Sequence, residues 1–201
     1  YLERIEKLQK VVFDKTGTLT KGEPEVTDII AENEKELLNL AAIAEKGSEH
    51  PLGAAIMKRA VSLGIIPDAE KFEAIAGLGV KAVWQGKTII IGNRKMMERE
   101  NADFSIFEER IKGLENLGKT VAMLAVNGHV LGLIAIADAL KEYSAEAVDK
   151  LSKLGIESIM LTGDNERTAL AIAKQVGIKR VIANLLPQEK LDVIKKLQAE
   201  G

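Results

Sequence analysis

The stretch Val11-Val12-Phe13-Asp14-Lys15-Thr16-Gly17-Thr18-Leu19-Thr20 constrains the fold more than any other part of the chain. Three apolar residues, Val11 to Phe13, read as the end of a buried strand. Asp14 stands where that strand gives way to a loop built on Gly17 and hydroxyl-bearing residues. A carboxylate at the carboxyl end of a strand lies where open α/β sheets keep their ligand crevice. An ionised Asp there can attack phosphorus without prior deprotonation and form an acyl phosphate. Thr16, Gly17 and Thr18 add oxygen acceptors, hydroxyl donors and backbone N–H groups suited to Mg²⁺ and phosphate oxygens. The same letters also fit a plain strand-to-turn transition capped by Asp, so the rest of the chain has to decide.

Length and composition narrow the classes. With 201 residues the chain can bury one large or two small cores. Its 28 basic and 30 acidic residues leave a net charge of −2, which gives no electrostatic case for nucleic acid or anionic lipid. The absence of cysteine excludes disulfides and thiolate metal sites, and two histidines make a structural zinc site implausible. The longest apolar run, Val130 to Ala137, is far short of the ~20 residues that span a bilayer, and no signal peptide is present. Taken alone, this reads as a soluble cytoplasmic piece.

The periodicity changes twice along the chain. Tyr1 to Lys7 is charged and helix-like and leads into a strand at Leu8 to Phe13. After the Asp14 loop, Lys21-Gly22-Glu23-Pro24 reads as a hinge out of a first domain. Val26 to Ala31 is strand-like, Glu34 to Glu45 has helical spacing, and Pro51 opens a helix to Leu63 stopped by Gly64. Short strands follow at Phe72 to Ala76, Val80 to Trp84 and Thr88 to Ile91, the last two joined at Gln85-Gly86-Lys87. Helices at Arg94 to Glu100 and Ile106 to Leu117 precede strands Val121 to Val126 and Val130 to Ile136, which flank the hairpin dipeptide Asn127-Gly128. Hairpins with helices on one face predict an α+β insert with an antiparallel sheet. From Ser144 the pattern returns to α/β: helix Ala145 to Leu154, strand Ser158 to Leu161, helix Arg167 to Val176, strand Arg180 to Ala183, helix Gln188 to Ala199. Crossovers of this length return in parallel, so these strands should join Leu8 to Phe13 in one sheet. The predicted organisation is a split first domain, residues 1–24 and 138–201, around an insert at 25–137.

A second loop repeats the logic of the first. In Leu161-Thr162-Gly163-Asp164-Asn165 a strand end meets a hydroxyl, a glycine and a helix start, so Thr162 could donate to a phosphate oxygen while Gly163 admits close backbone approach. A simple helix cap by Asp164 or Asn165 reads equally well. By contrast, Gly113-Leu114-Glu115-Asn116-Leu117-Gly118-Lys119-Thr120 satisfies the nucleotide-loop pattern G-x-x-x-x-G-K-T with its context reversed, because a helix precedes it and a strand follows. Its interior N–H groups are used within the helix, and Gly118 reads as the helix stop.

Asp14-Lys15-Thr16-Gly17-Thr18-Leu19-Thr20 followed by Lys21-Gly22-Glu23-Pro24 resembles the phosphorylation motif of P-type ATPases, the haloacid-dehalogenase-like cation pumps. Thr162-Gly163-Asp164-Asn165 resembles their second phosphate motif. Lys190, in Leu186-Pro187-Gln188-Glu189-Lys190, matches the lysine that neutralises phosphoryl charge. Ser48-Glu49-His50-Pro51 resembles the signature of the heavy-metal branch, where the Glu and His contact adenine. Gly77-Leu78-Gly79-Val80 and Gly92-Asn93 match the rest of that branch's nucleotide pocket. Asp138 and Lys141, in Ala137-Asp138-Ala139-Leu140-Lys141, resemble the hinge pair at the return crossing, with an N-cap Asp and an exposed Lys as the plain alternative.

The resemblance implies a haloacid-dehalogenase-like Rossmannoid α/β phosphorylation domain carrying an inserted α+β nucleotide-binding domain. It implies ATP as cofactor, held by Glu49, His50, Gly77, Gly79, Val80, Gly92 and Asn93. Catalysis falls to Asp14, Thr16, Thr162, Gly163, Asp164 and Lys190, with Mg²⁺ on Asp14 and the Thr16 carbonyl. Phosphatases of the wider superfamily carry an Asp where Thr16 stands, as general acid and base, and its loss favours a phosphoenzyme that persists. The family's G-D-G-x-N-D magnesium element is absent, so the phosphorylation domain is expected to be truncated at its C-terminus. The implied function is ATP hydrolysis through an aspartyl phosphate, coupled to transport of a heavy metal, with copper the best choice. The implied partners are the transmembrane and actuator domains of the same polypeptide and the transported ion, in a membrane protein of a prokaryotic plasma membrane. Two alternatives stand: a soluble capped phosphatase, and a nucleotide-binding fragment without catalysis.

Overall fold

A computed structural model describes residues 8–199; the helical segment expected at Tyr1 to Lys7 lies outside them. The chain divides into two compact units, one formed by the residues up to Gly22 with Asn116–Gly118 and Asp138 onward, the other by Glu23–Glu115 and Lys119–Ala137.

The first unit is built on β1 (Lys10–Asp14). After the insert follow α5 (Ser144–Lys153), β8 (Glu157–Leu161), α6 (Glu166–Val176), β9 (Arg180–Ile182) and α7 (Pro187–Ala199). Its three strands are parallel in the order β1-β8-β9. Alternation along the strands feeds both faces. Phe13 and Met160 pack with Val148, Ala169, Ile172 and Val176 of α5 and α6. Val12, Ile159, Leu161 and Ile182 pack with Val193, Ile194 and Leu197 of α7 on the other side. Both faces are covered, as the right-handed crossovers of a parallel sheet require. The register sets Asp14 opposite Leu161, so the loops that leave β1 and β8 start side by side.

The second unit runs β2 (Glu25–Ala31), α1 (Glu34–Glu45), α2 (Pro51–Ala60), β3 (Lys71–Ile75), β4 (Gly79–Trp84), β5 (Lys87–Gly92), α3 (Arg94–Arg99), α4 (Glu108–Asn116), β6 (Thr120–Val126) and β7 (His129–Ala137). Its antiparallel sheet has the order β2-β7-β6-β5-β4-β3. Asn127 and Gly128, with φ of 49° and 84°, make the β6–β7 turn with the positive dihedrals that a two-residue hairpin needs. The helix expected from Pro51 to Leu63 ends at Ala60 and tightens into a 3₁₀ turn over Val61–Leu63.

One expectation is corrected here: the insert's helices cover both faces of its sheet, not one. Ile89 and Ile91 point to the side packed by α1 and α2, while Ile90 points to the side packed by Met96 and Met97 of α3 and Ile111 and Leu114 of α4. The central strands are apolar on both faces, and only two helical layers can keep both out of water. The Gly113–Thr120 segment behaves as read, with Gly113 inside α4, Gly118 at φ 79° and Thr120 opening β6.

Candidate active site

In the first unit the structure brings together residues 176 positions apart. Asp14 ends β1 with its side chain half exposed, and its Oδ1 lies 2.8 Å from Nζ of Lys190 on α7. Thr16, Gly17 and Thr18 are exposed in the loop that follows. Gly17 takes φ 74°, and its N–H donates to Thr20 Oγ1 at 3.2 Å.

The descending limb of the loop is tied to the return crossing. Thr20, fully buried, donates its hydroxyl to Asp138 Oδ2 at 2.6 Å, and the Gly22 N–H donates to the same carboxylate. Lys141 Nζ donates to the Gly17 carbonyl at 2.6 Å, and its N–H to the Leu19 carbonyl at 2.9 Å. Asp138 is thus not the N-cap of a helix, since α5 begins only at Ser144. It holds the loop that carries Asp14.

The loop after β8 is equally constrained. Asn165 caps α6 by accepting from the Thr168 N–H at 3.0 Å. The Thr162 N–H donates to the Ile182 carbonyl, and its own carbonyl accepts from Leu185. Thr162 is 2 % exposed, and its hydroxyl proton is turned onto Asp164 Oδ2 at 2.9 Å. Asp164 is also gripped by Lys15, whose Nζ lies 2.6 Å from Oδ2; sequence reasoning assigned Lys15 nothing. Gly163 is exposed, and a Cβ there would come within 3.2 Å of the Leu185 carbonyl oxygen.

Among the described residues no three His, Asp or Glu side chains converge as a metal cage. Mg²⁺ keeps several waters and binds through one or two carboxylates plus substrate phosphates, and the half-exposed Asp14 carboxylate is a donor of that kind.

In the second unit two groups of expected residues appear. Asn93 caps α3 by accepting from the Met96 N–H, while its amide donates to the Gly77 carbonyl at 2.8 Å and its N–H to the Leu78 carbonyl at 3.0 Å. Gly79 pairs with Gly92 in the β4–β5 ladder. Gly77, Gly79, Gly92 and Asn93 therefore form one backbone-lined cluster. Val80 belongs to the core, 4 % exposed, so only its backbone could serve a ligand.

His50 caps α2 through Nδ1, which accepts from the Leu52 N–H at 3.2 Å, so the neutral ring carries its proton on Nε2. Ser48 Oγ accepts from the His50 N–H, and Glu49 is exposed. The acid that sequence reasoning missed is Glu45. It is 7 % exposed at the end of α1, and its Oε2 is buried without a hydrogen-bond partner. Burial pushes its carboxyl above the usual range, with a Ser48 hydrogen bond pulling the other way. Gly53 leaves the room it occupies, since a Cβ there would stand 2.6 Å from Oε2. The available signal was a charged residue on the apolar face of α1, just ahead of Ser48 and His50.

Comparison with known proteins follows the same lines. The haloacid dehalogenase-like hydrolase family matches residues 9–201. The chain belongs to that family. Among its haloacid dehalogenase-like relatives, a copper-exporting P-type ATPase of Bacillus subtilis (strain 168) is 46 % identical over 205 residues, spanning 100 % of this chain and 26 % of the relative. A cadmium-transporting ATPase of Staphylococcus aureus is 45 % identical, over 100 % of this chain and 29 % of its own. The catalytic domain of the CPx-ATPase CopB-B, solved in a study of nucleotide binding, superposes with a TM-score of 0.75 at 29 % identity, over 100 % of this chain and 70 % of that one. The chain spans about a quarter of the curated relatives' length. Among the described residues no helix is long and apolar enough to cross a membrane.

Proposed function

We propose that this chain is the ATP-binding and phosphorylation unit of a heavy-metal-transporting P-type ATPase, acting through an aspartyl phosphate on Asp14. The observation that carries the reading is the pairing of an exposed strand-end carboxylate with Lys190. A cation at that spot neutralises the phosphoryl oxygens as charge develops on them. Asp14 attacks the γ-phosphorus of ATP, a bond forms between the carboxylate oxygen and phosphorus, and the bond to the β,γ-bridging oxygen breaks with that electron pair leaving on ADP. Thr18 and Gly163 offer backbone N–H groups to the transferred group. Mg²⁺, when bound through Asp14 and the Thr16 carbonyl, supplies neutralising charge. With Thr16 in place of a carboxyl acid-base, the intermediate lacks an adjacent base to activate water and persists.

The insert takes the nucleotide through Gly77, Gly79, Gly92, Asn93 and the Ser48–His50 turn. Val80 contributes backbone only, and Glu49 a rim charge. Glu45, the last residue of α1, hydrogen-bonds Ser48 of that turn. The cargo we assign is copper, on the copper-exporting relative; the near-equal identity to a cadmium transporter supports metal choice lying in regions outside this chain. By the same reading, membrane-spanning and actuator regions of the polypeptide complete the pump at a prokaryotic plasma membrane.

The test is Asp14→Asn in the full-length gene product, incubated with γ-labelled ATP and quenched in acid. Loss of the acid-stable label is expected, while undiminished labelling overturns the nucleophile assignment.

A further inference from the structure

The residue next to the nucleophile has no role in that reading, yet it is one of the most enclosed charges in the unit. The Lys15 side chain is 11 % exposed and that of Asp164 13 %, with Nζ and Oδ2 2.6 Å apart. Asp14, one position earlier, is half exposed and turned toward Lys190. Lys15 follows the last residue of β1, and its ammonium is held on Asp164, so its charge is directed at the loop after β8.

That loop depends on the contact. Asp164 Oδ2 takes the Lys15 ammonium and the Thr162 hydroxyl together, and the Asp164 N–H returns to Thr162 Oγ1 at 3.1 Å. The Asp164 carbonyl accepts from Asn184 at 2.8 Å. Asp164, which the first loop holds, thus ties Thr162 on one side and Asn184 on the other.

We propose that Lys15 is a positioning residue: by pairing with Asp164 it locks the loop after β1 to the loop after β8 and sets the distance from Asp14 to Thr162 and Gly163. The assignment rests on Asp14 as the phosphorylated residue. Taking away one partner of an enclosed ion pair strands the other, which then swings toward water. Asp164 would carry the Thr162–Gly163 peptide with it.

Two measurements test it. In the 201-residue chain, Lys15→Met should move the amide resonances of both Asp14 and Gly163, and Asp164→Asn should reproduce the pattern. Shifts confined to the immediate neighbours of residue 15 overturn the pairing, whatever the chemistry. In the full-length gene product, Lys15→Met should slow phosphoenzyme formation about 100-fold, the cost of roughly 1 Å of misplacement, with nucleotide affinity within about two-fold. Lys15→Arg should recover most of the rate. Lys15→Met/Asp164→Asn should be no slower than the worse single variant, because members of one unit do not add. Multiplying losses, or a Lys15→Met rate within about three-fold of wild type, would sink the proposal. An unlabelled wild type would instead count against Asp14, leaving the resonance experiment to decide on Lys15.

Discussion

Gly79 offers the sharpest quantitative test of the geometry of the proposed nucleotide site. Its φ is 152°, and a Cβ built on it would lie 2.1 Å from the Ile91 carbonyl oxygen and 2.6 Å from Gly92 Cα. Both obstacles are backbone of the paired strand, so no side chain can rotate away. Placing an L-residue in a glycine-only backbone region costs about 1–3 kcal/mol. Forcing an extra carbon into a filled space costs about another 1–3 kcal/mol. Gly79→Ala should therefore lose about 4 kcal/mol, which for a chain of this length lowers Tm by roughly 12 °C. Circular dichroism melts of the two proteins measure it directly. Gly113→Ala is the internal control, because it sits inside α4 with nothing within 4 Å of its would-be Cβ. Alanine there should gain about 0.5–1 kcal/mol from helix propensity. If Gly79→Ala melts within about 3 °C of wild type, the close pairing of Gly79 with Gly92 is wrong. If Gly113→Ala is the more damaging change, the helical reading of the G-x-x-x-x-G-K-T match fails with it.

Two further outcomes follow from buried charge. The Glu45 carboxyl has its pKa raised in the fold by desolvation, so the folded protein holds the proton more tightly than the unfolded chain and stability falls as pH rises from the unfolded value through the folded one. Glu45→Gln mimics the protonated form, so its urea midpoint should match wild type in acid and exceed it progressively toward neutral pH; a gap that fails to widen refutes the desolvation argument. Arg94 pairs with Glu115, whose side chain is 3 % exposed, through two nitrogens, the Nη2–Oε2 contact measuring 3.0 Å. Arg94→Met should cost about 3 kcal/mol by leaving that carboxylate buried without its guanidinium. Urea titration of Arg94→Met against Arg94→Met/Glu115→Gln should show the double variant regaining part of the loss, and equal midpoints for the two would argue that the pair does not stabilise the fold.

Much of this was legible in the residues themselves. The β1–loop junction, the Asn127-Gly128 hairpin, the helix from Glu34 to Glu45 and the glycine that stops α4 all follow from patterns within a dozen residues. The resemblance supplied the grouping of Asp14 with Lys190. What was not legible shares one property. Nothing local marked Glu45 as buried, Asp138 read as either a hinge residue or a cap, and the insert's helices read as a single layer. In each case the answer depended on what lay against the residue from another part of the chain.

Sequence by itself determined the order and type of the elements, since periodicity, turn residues and caps act through neighbours a few positions away. Only the tertiary structure decided that Lys15 grips Asp164 and that Asp138 holds Thr20, 118 positions earlier. Such pairs are chosen by strand order and register, which bring distant loops to the same end of a sheet. No local pattern encodes which loop will be waiting there.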